Sequence, residues 1–444
     1  MIALLALLLT APAPPHTLAL AAGYKAAFTC SGIFNAGQTE SQIAADDLGG
    51  IYTEYQALIA DLPTKIDRSA RTVSVSFAAD LPSRIAVWRP LLGCTQLPIG
   101  AAPGTPVPNL TPDFKQPDLA AVDAAPWPLG DRNAAARLPR RAALDAAVAK
   151  AFETRATTAV IILKSGKIVA ERYRADYDLH TPQRTWSVAK SLTATLVGRA
   201  VQQNRIDPAA PADIPEWRTS GDPRAAITLE QLLRMNSGLH TAGPGNRTDG
   251  VYLGGAAVPE SAAAMPLEAA PGSHFNYANN DTLLAAYALE TRLGKEALGY
   301  PFTQLLWPLG MTRTTPETDW QGHFILSSQV WMTARDMGRL ALLYSNNGMA
   351  NGQRLLPENW RAFVTAPAGA QPEPRSRGGY GAGFWLMGAE NGLPNGTYAM
   401  LGNRGQFAVV VPARGIIVIR RGFDAPKTPF DPVVFTRAIL AAMP

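Results

Sequence analysis

Residues 184–196 read RTWSVAKSLTATL, with a serine at 187, a lysine three positions later at 190, and an apolar helical run continuing from both. On a helix, positions three apart share a face, so Ser187 and Lys190 can meet. The unpaired amides of a first helical turn also favour negative charge, which suits a forming serine alkoxide. Lysine is protonated near neutral pH, and lowering its pKa by about 3 units corresponds to roughly 4 kcal/mol against the charged form. Burial beside Trp186, Val188 and Leu192 would supply part of that bias. The spacing alone does not decide the matter, because a chain of this length holds about one S-x-x-K by chance.

Outward from this stretch, strands lie at the ends and helices between. TTAVIILKSGKIVAERY (157–173) is two β-rich runs around Ser165 and Gly166, a hairpin signal. Before it, Leu144, Val148 and Phe152 recur every four residues, as on one helical face. Toward the C-terminus TYAMLG, QFAVVVP and GIIVIRRG are three more strands, and DPVVFTRAILAAM is a closing helix. The interval from about 180 to 370 is mostly helical, with Thr228 and Gln231, and Thr333 and Asp336, spaced to satisfy free amides at helix starts. The expected fold class is α+β: an antiparallel sheet built from both ends, flanked by helices, with a mostly helical domain inserted.

Upstream, RTVSVSF (71–77) and SRIAVWRP (83–90) alternate apolar and polar residues as a second hairpin. Residues 2–9 form an apolar block, and Ala11–Ala13 and Ala19–Ala21 are A-x-A sites, so residues 1–22 read as a removable export signal. Cys30 and Cys94 are the only cysteines, and in an exported protein they read as a disulfide. The expected organisation is a signal at 1–22, an accessory region at 23–98, a Pro-rich connector at 99–130, and a catalytic unit at 131–444. The location implied is periplasmic or secreted.

Two further motifs bear on chemistry. In PGSHFNYANND, Tyr277 and Asn279 form a Y-x-N in a polar turn before an apolar helix; a phenol beside a lysine can relay a proton, and the amide can bind an ester or amide substrate. A second Y-x-N, Tyr344 and Asn346, ends an apolar helix at Gly348 and reads as a helix terminus. In LGNRGQFAVVV, Gly405 would admit substrate close to the backbone, and the amide of Gln406 could hold an oxyanion.

In this order the motifs resemble the serine β-lactamase and penicillin-binding-protein superfamily, most closely its class C β-lactamase-related branch. ITLEQLLRMNSGL, WPLGM and GYGAGFWL resemble further family segments, and SVAKS is similar to the version in 6-aminohexanoate-dimer hydrolases. The resemblance implies Ser187 as nucleophile, Lys190 as its activator and Tyr277 as general acid and base, with either Lys190 or Tyr277 taking the serine proton. It also implies an oxyanion hole from the amides of Ser187 and Gln406, and Asn279 against the acyl group. Where the family has K-T-G or H-x-G, this chain has Asn403, Arg404 and Gly405; Arg404 replaces the missing cation only if it points into the cleft.

The expected activity is therefore hydrolysis of a small ester or amide through a Ser-linked acyl-enzyme, without metal or organic cofactor. The alternatives are a β-lactamase or D-amino-acid peptidase of the same fold, or an inactive cell-envelope binding protein. The five histidines have no paired metal-ligand spacing. A net charge of +5 without a basic cluster excludes a nucleic-acid surface, and no apolar run reaches a membrane-spanning length. Oligomeric state is left open.

Overall fold

A computed structural model describes residues 13–443 apart from 112, 133–141, 242–247 and 374–377. The apolar block at 2–9 and Ala11 lie outside the described residues. The centre of the molecule is a seven-stranded antiparallel sheet in the order β12-β13-β14-β15-β16-β5-β6. Here β5 is Thr157–Lys164 and β6 Lys167–Tyr173, while β12 (Gly379–Tyr380), β13 (Trp385–Met387), β14 (Thr397–Gly402), β15 (Gln406–Val411) and β16 (Ile416–Gly422) come from the C-terminal end. The two ends meet where β16 pairs with β5, from Ile416 opposite Lys164 to Arg421 opposite Ala159. Ser165 and Gly166 both take positive φ, 48° and 80°, which closes the β5–β6 hairpin in the tight turn that their sequence predicts.

Because successive strand residues point to opposite faces, the apolar runs of β5, β15 and β16 fill two cores. Ile161, Leu163, Ala408, Val410, Ile417 and Ile419 face one core, which includes the helices Val188–Gln202 and Ala334–Ser345. Val160, Ile162, Phe407, Val409, Ile416 and Val418 face the other, shared with the helices Ala142–Ala151 and Pro432–Ala442. The intervening stretch contains the helix Asn279–Leu293 and short helical turns, with a small sheet β7-β9-β8 made of Gln183–Arg184, Val330–Met332 and Thr315–Pro316. Thr228 and Gln231 form a reciprocal capping box, and Thr333 accepts from the Asp336 amide.

The N-terminal region is joined to the catalytic unit through one continuous core. Its four-stranded sheet β1-β2-β3-β4, with β1 at Thr64–Asp67 and with β2 (Thr72–Val75) and β3 (Arg84–Arg89) as the expected hairpin, packs on the helix Pro15–Ala36. The Cys30–Cys94 disulfide ties that helix to β4 (Gly93–Gln96). The buried Glu317 carboxylate then accepts from Ser31 Oγ at 2.6 Å, Asn35 Nδ2 at 2.8 Å and the Cys94 amide at 3.0 Å. Phe28 packs against Trp186, with ring centroids 6.1 Å apart. The division expected at 99–130 is thus no boundary in packing. Residue 22, where the leader was expected to end, falls inside the first helix; Ala21 and Ala22 there are 0% exposed.

Candidate active site

Ser187 stands at the N-terminal end of the helix Val188–Gln202 without making a side-chain capping bond, directly after Trp186, which is held at φ 51°. A bulky residue in the left-handed region is rare and costs about 1–3 kcal/mol, so its surroundings must hold it there. Arg184 does so, with its guanidinium 4.0 Å from the Trp186 ring and 4.4 Å from that of Phe28. The sharp turn leaves the Ser187 amide donating to no acceptor among the described residues. The serine lines a cleft of about 720 Å³ together with Tyr277, Asn279, Trp385, Gly402 and Asn403.

One helical turn on, Lys190 is 1% exposed. Its Nζ lies 3.2 Å from Ser187 Oγ, 2.6 Å from Asn279 Oδ1 and 3.0 Å from the Ser327 carbonyl oxygen. Burial lowers its pKa to about 7. The partner set agrees with the neutral amine: two partners only accept, so they take both N–H groups and leave the lone pair for the serine hydroxyl. Lys190 can therefore remove the Ser187 proton directly.

Tyr277 sits with its ring centroid 5.0 Å from Lys190 Nζ, packed against Trp385 at 5.3 Å and Tyr380 at 5.8 Å. Burial pushes its phenol up to about 12, against the opposing pull of hydrogen bonding with Ser187 and Trp385. The phenol is thus protonated at neutral pH and suited to donate. A neutral lysine and a protonated phenol on one serine are an acid and a base whose environments have driven their pKa values apart.

Three expected residues lie elsewhere. Arg404, at φ 60°, turns the chain away from the cleft, and its guanidinium donates to the carbonyls of Asp46, Gly49 and Phe423. Gly405 stands against the Arg420–Asp424 ion pair, where a Cβ would come within 1.8 Å of Arg420 Nη1. Gln406, whose amide was expected at the oxyanion, is not among the residues lining the cleft: its backbone pairs with Gly402 in the β14–β15 ladder and its buried side chain accepts from Arg421 Nε at 2.6 Å. The backbone that reaches the serine is earlier in the chain: a Cβ on Gly402 would lie 2.3 Å from the Thr185 carbonyl and 3.2 Å from the Ser187 nitrogen. Gly402 and Asn403, not Gly405 and Gln406, are the glycine-turn residues in the cleft. Asn279 is at the expected place, but its Oδ1 is taken by Lys190.

Tyr344 is fully buried and bonds Thr195, away from the cleft, and His274 is exposed beside Ser273. Asp123, Asp131 and His180 bring ligand-type atoms within 4.8 Å of one another. Arg313 holds Asp123 through both oxygens, and Arg335 and Arg339 hold Asp131, so those carboxylates are already neutralised. Among the described residues no helix is long and apolar enough to cross a membrane.

A family model described as Beta-lactamase matches residues 144–420, more than half of the chain. The chain belongs to the beta-lactamase family. It is a hydrolase of that family, 26% identical over 298 residues to the 6-aminohexanoate-dimer hydrolase of Paenarthrobacter ureafaciens, covering 61% of this chain and 73% of that one. Among solved structures it resembles EstCE1, a hydrolase with promiscuous acyltransferase activity, at a TM-score of 0.56 and 16% identity over 68% of this chain and 97% of that chain. A penicillin-binding protein homologue from Caulobacter crescentus gives 0.55 and 18% over 69% and 98%. At these identities the two structures establish the fold alone.

Sequence reasoning missed Gly402, Ser327 and Tyr252 in the site, and took Asn403 only as the position where the family's cation is absent. Tyr252 lines the cleft and bonds the Ser327 hydroxyl. The GYGAGFWL segment did hold a signal, since its Tyr380 and Trp385 pack around Tyr277. Its Gly383 lies so close to the serine-bearing helix that a Cβ would meet the Lys190 carbonyl at 2.8 Å.

Proposed function

We propose that this protein hydrolyses small esters or amides through an acyl group carried on Ser187. The observation that carries this reading is the buried lysine with two acceptor-only partners and one hydroxyl. In acylation Ser187 Oγ attacks the substrate carbonyl carbon and gives its proton to Lys190. The Ser187 amide and the backbone at Gly402–Asn403 face the developing oxyanion. Tyr277 then donates its proton to the departing alkoxide or amine as the C–O or C–N bond breaks, and regains a proton from Lys190. Water repeats the attack on the acyl-serine, its proton returns through the same groups, and the acid leaves.

The name of the Paenarthrobacter relative supports a linear amide among the candidate substrates. The turning away of Arg404 weighs against a β-lactam carboxylate held at that position. We also propose export, supported by the Cys30–Cys94 bond. Cleavage at the Ala11–Ala13 site, rather than near residue 22, would leave the first helix whole. The test of the acyl-serine is a fluorophosphonate probe, expected to label the wild type and not Ser187→Ala. Equal labelling of both would refute Ser187 as the nucleophile, and labelling of neither would refute the reading and favour a binding protein.

A further inference from the structure

Part of the cleft around Ser187 is built by residues 51–54, well outside the 144–420 stretch that matches the family. Resting on the acyl-serine reading, we infer that the N-terminal unit is a specificity element of this cleft. Ile51, with Met387, Leu401 and Val433, forms a subsite for a hydrocarbon chain of the substrate.

These four side chains line the same cavity as the nucleophile; Ile51, Leu401 and Val433 are half-buried and still have surface that a bound chain could cover, while Met387 is buried at 7% exposure. Removing such apolar surface from water is favourable in proportion to its area, so a methylene placed there strengthens binding by about fourfold. The wall is also fixed in position. The Tyr24 hydroxyl donates to the carbonyls of Asp47 and Leu48, at 3.2 and 3.1 Å, and its ring meets that of Tyr52 edge-on at 4.8 Å. From the other side Arg404 donates to Asp46 and, at 3.2 Å, to Gly49. Arg404 stands two residues after Gly402, so one side chain couples the strand beside the serine to the segment that walls the cleft. It is a positioning residue: it acts on substrate only through residues 46–51.

The experiment uses the full-length protein and two ester series: p-nitrophenyl esters from acetyl to octanoyl, and acetate esters of alcohols from ethyl to octyl. In the wild type kcat/KM should rise about fourfold per methylene in at least one series until the subsite fills. Ile51→Asp should lower the octyl-to-short ratio in that series at least tenfold, and Ile51→Ser and Arg404→Gln should lower it in the same direction. Whichever series responds identifies the chain as acyl or leaving group. A flat wild-type profile in both series, or an Ile51→Asp loss equal for all chain lengths, would overturn the inference. Ser187→Ala separates the two readings. If it retains acetate hydrolysis, the acyl-serine fails; if hydrolysis depends on Ser187 and the profile is flat, only the subsite fails.

Discussion

Replacing Asn279 with aspartate tests the proton chemistry at its most sensitive contact. Asn279 Oδ1 lies 2.6 Å from Lys190 Nζ, so the substitution sets a carboxylate of nearly the same shape against the lysine. An opposite charge at that range raises a lysine pKa by about 1–3 units. The value of about 7 would then move to between about 8 and 10. At pH 7 the neutral fraction would fall from roughly one half to between roughly one tenth and one thousandth, with recovery as pH rises. The assay is kcat/KM for a chromogenic ester from pH 5 to 10.5, whose acid limb reports the free enzyme's base. The wild type should show that limb near 7 and Asn279→Asp should show it displaced to higher pH. Lys190→Arg, whose guanidinium keeps its proton, should be inactive throughout. An acid limb unmoved in Asn279→Asp, or activity retained in Lys190→Arg, would refute lysine as the base.

The added Cβ of Gly402→Ala would meet backbone on two sides; its kcat should fall by about 10- to 1000-fold, the range for disturbing an oxyanion contact, measured with the same ester. Lys190 is also a stability group. Its folded pKa of about 7 lies below the ordinary 10.5, so between those values the unfolded chain holds a proton that the folded chain does not, and stability rises with pH across that window. Urea midpoints of Lys190→Met at pH 6.5, 8 and 9.5 should lack that rise. Replacing Cys30 and Cys94 by serine opens a bridge spanning 64 residues; the expected loss is about 2–4 kcal/mol by denaturant unfolding.

The parts of the molecule legible in the chain were those set by neighbours in sequence. Ser187 and Lys190 meet because one helical turn brings them together, and the β5–β6 hairpin follows from a Ser-Gly pair that accepts positive φ. The glycine turn near the C-terminus was misread by three residues, because the bend depends on Arg404 adopting φ 60°. Arg404 is held there by carbonyls over 350 positions away. The contribution of Ile51 had no local signature at all, since an isoleucine lines a cleft only through the packing that carries it there.

The anchoring of Glu317 has a practical consequence for anyone trimming this protein to its recognisable domain. A fragment beginning near residue 131 would keep the carboxylate and discard Ser31, Asn35 and the Cys94 amide that quench it. It would also strip Phe28 from behind the tryptophan that shapes the nucleophile's turn. Such a fragment should be insoluble or idle even though every motif of the family remains in it.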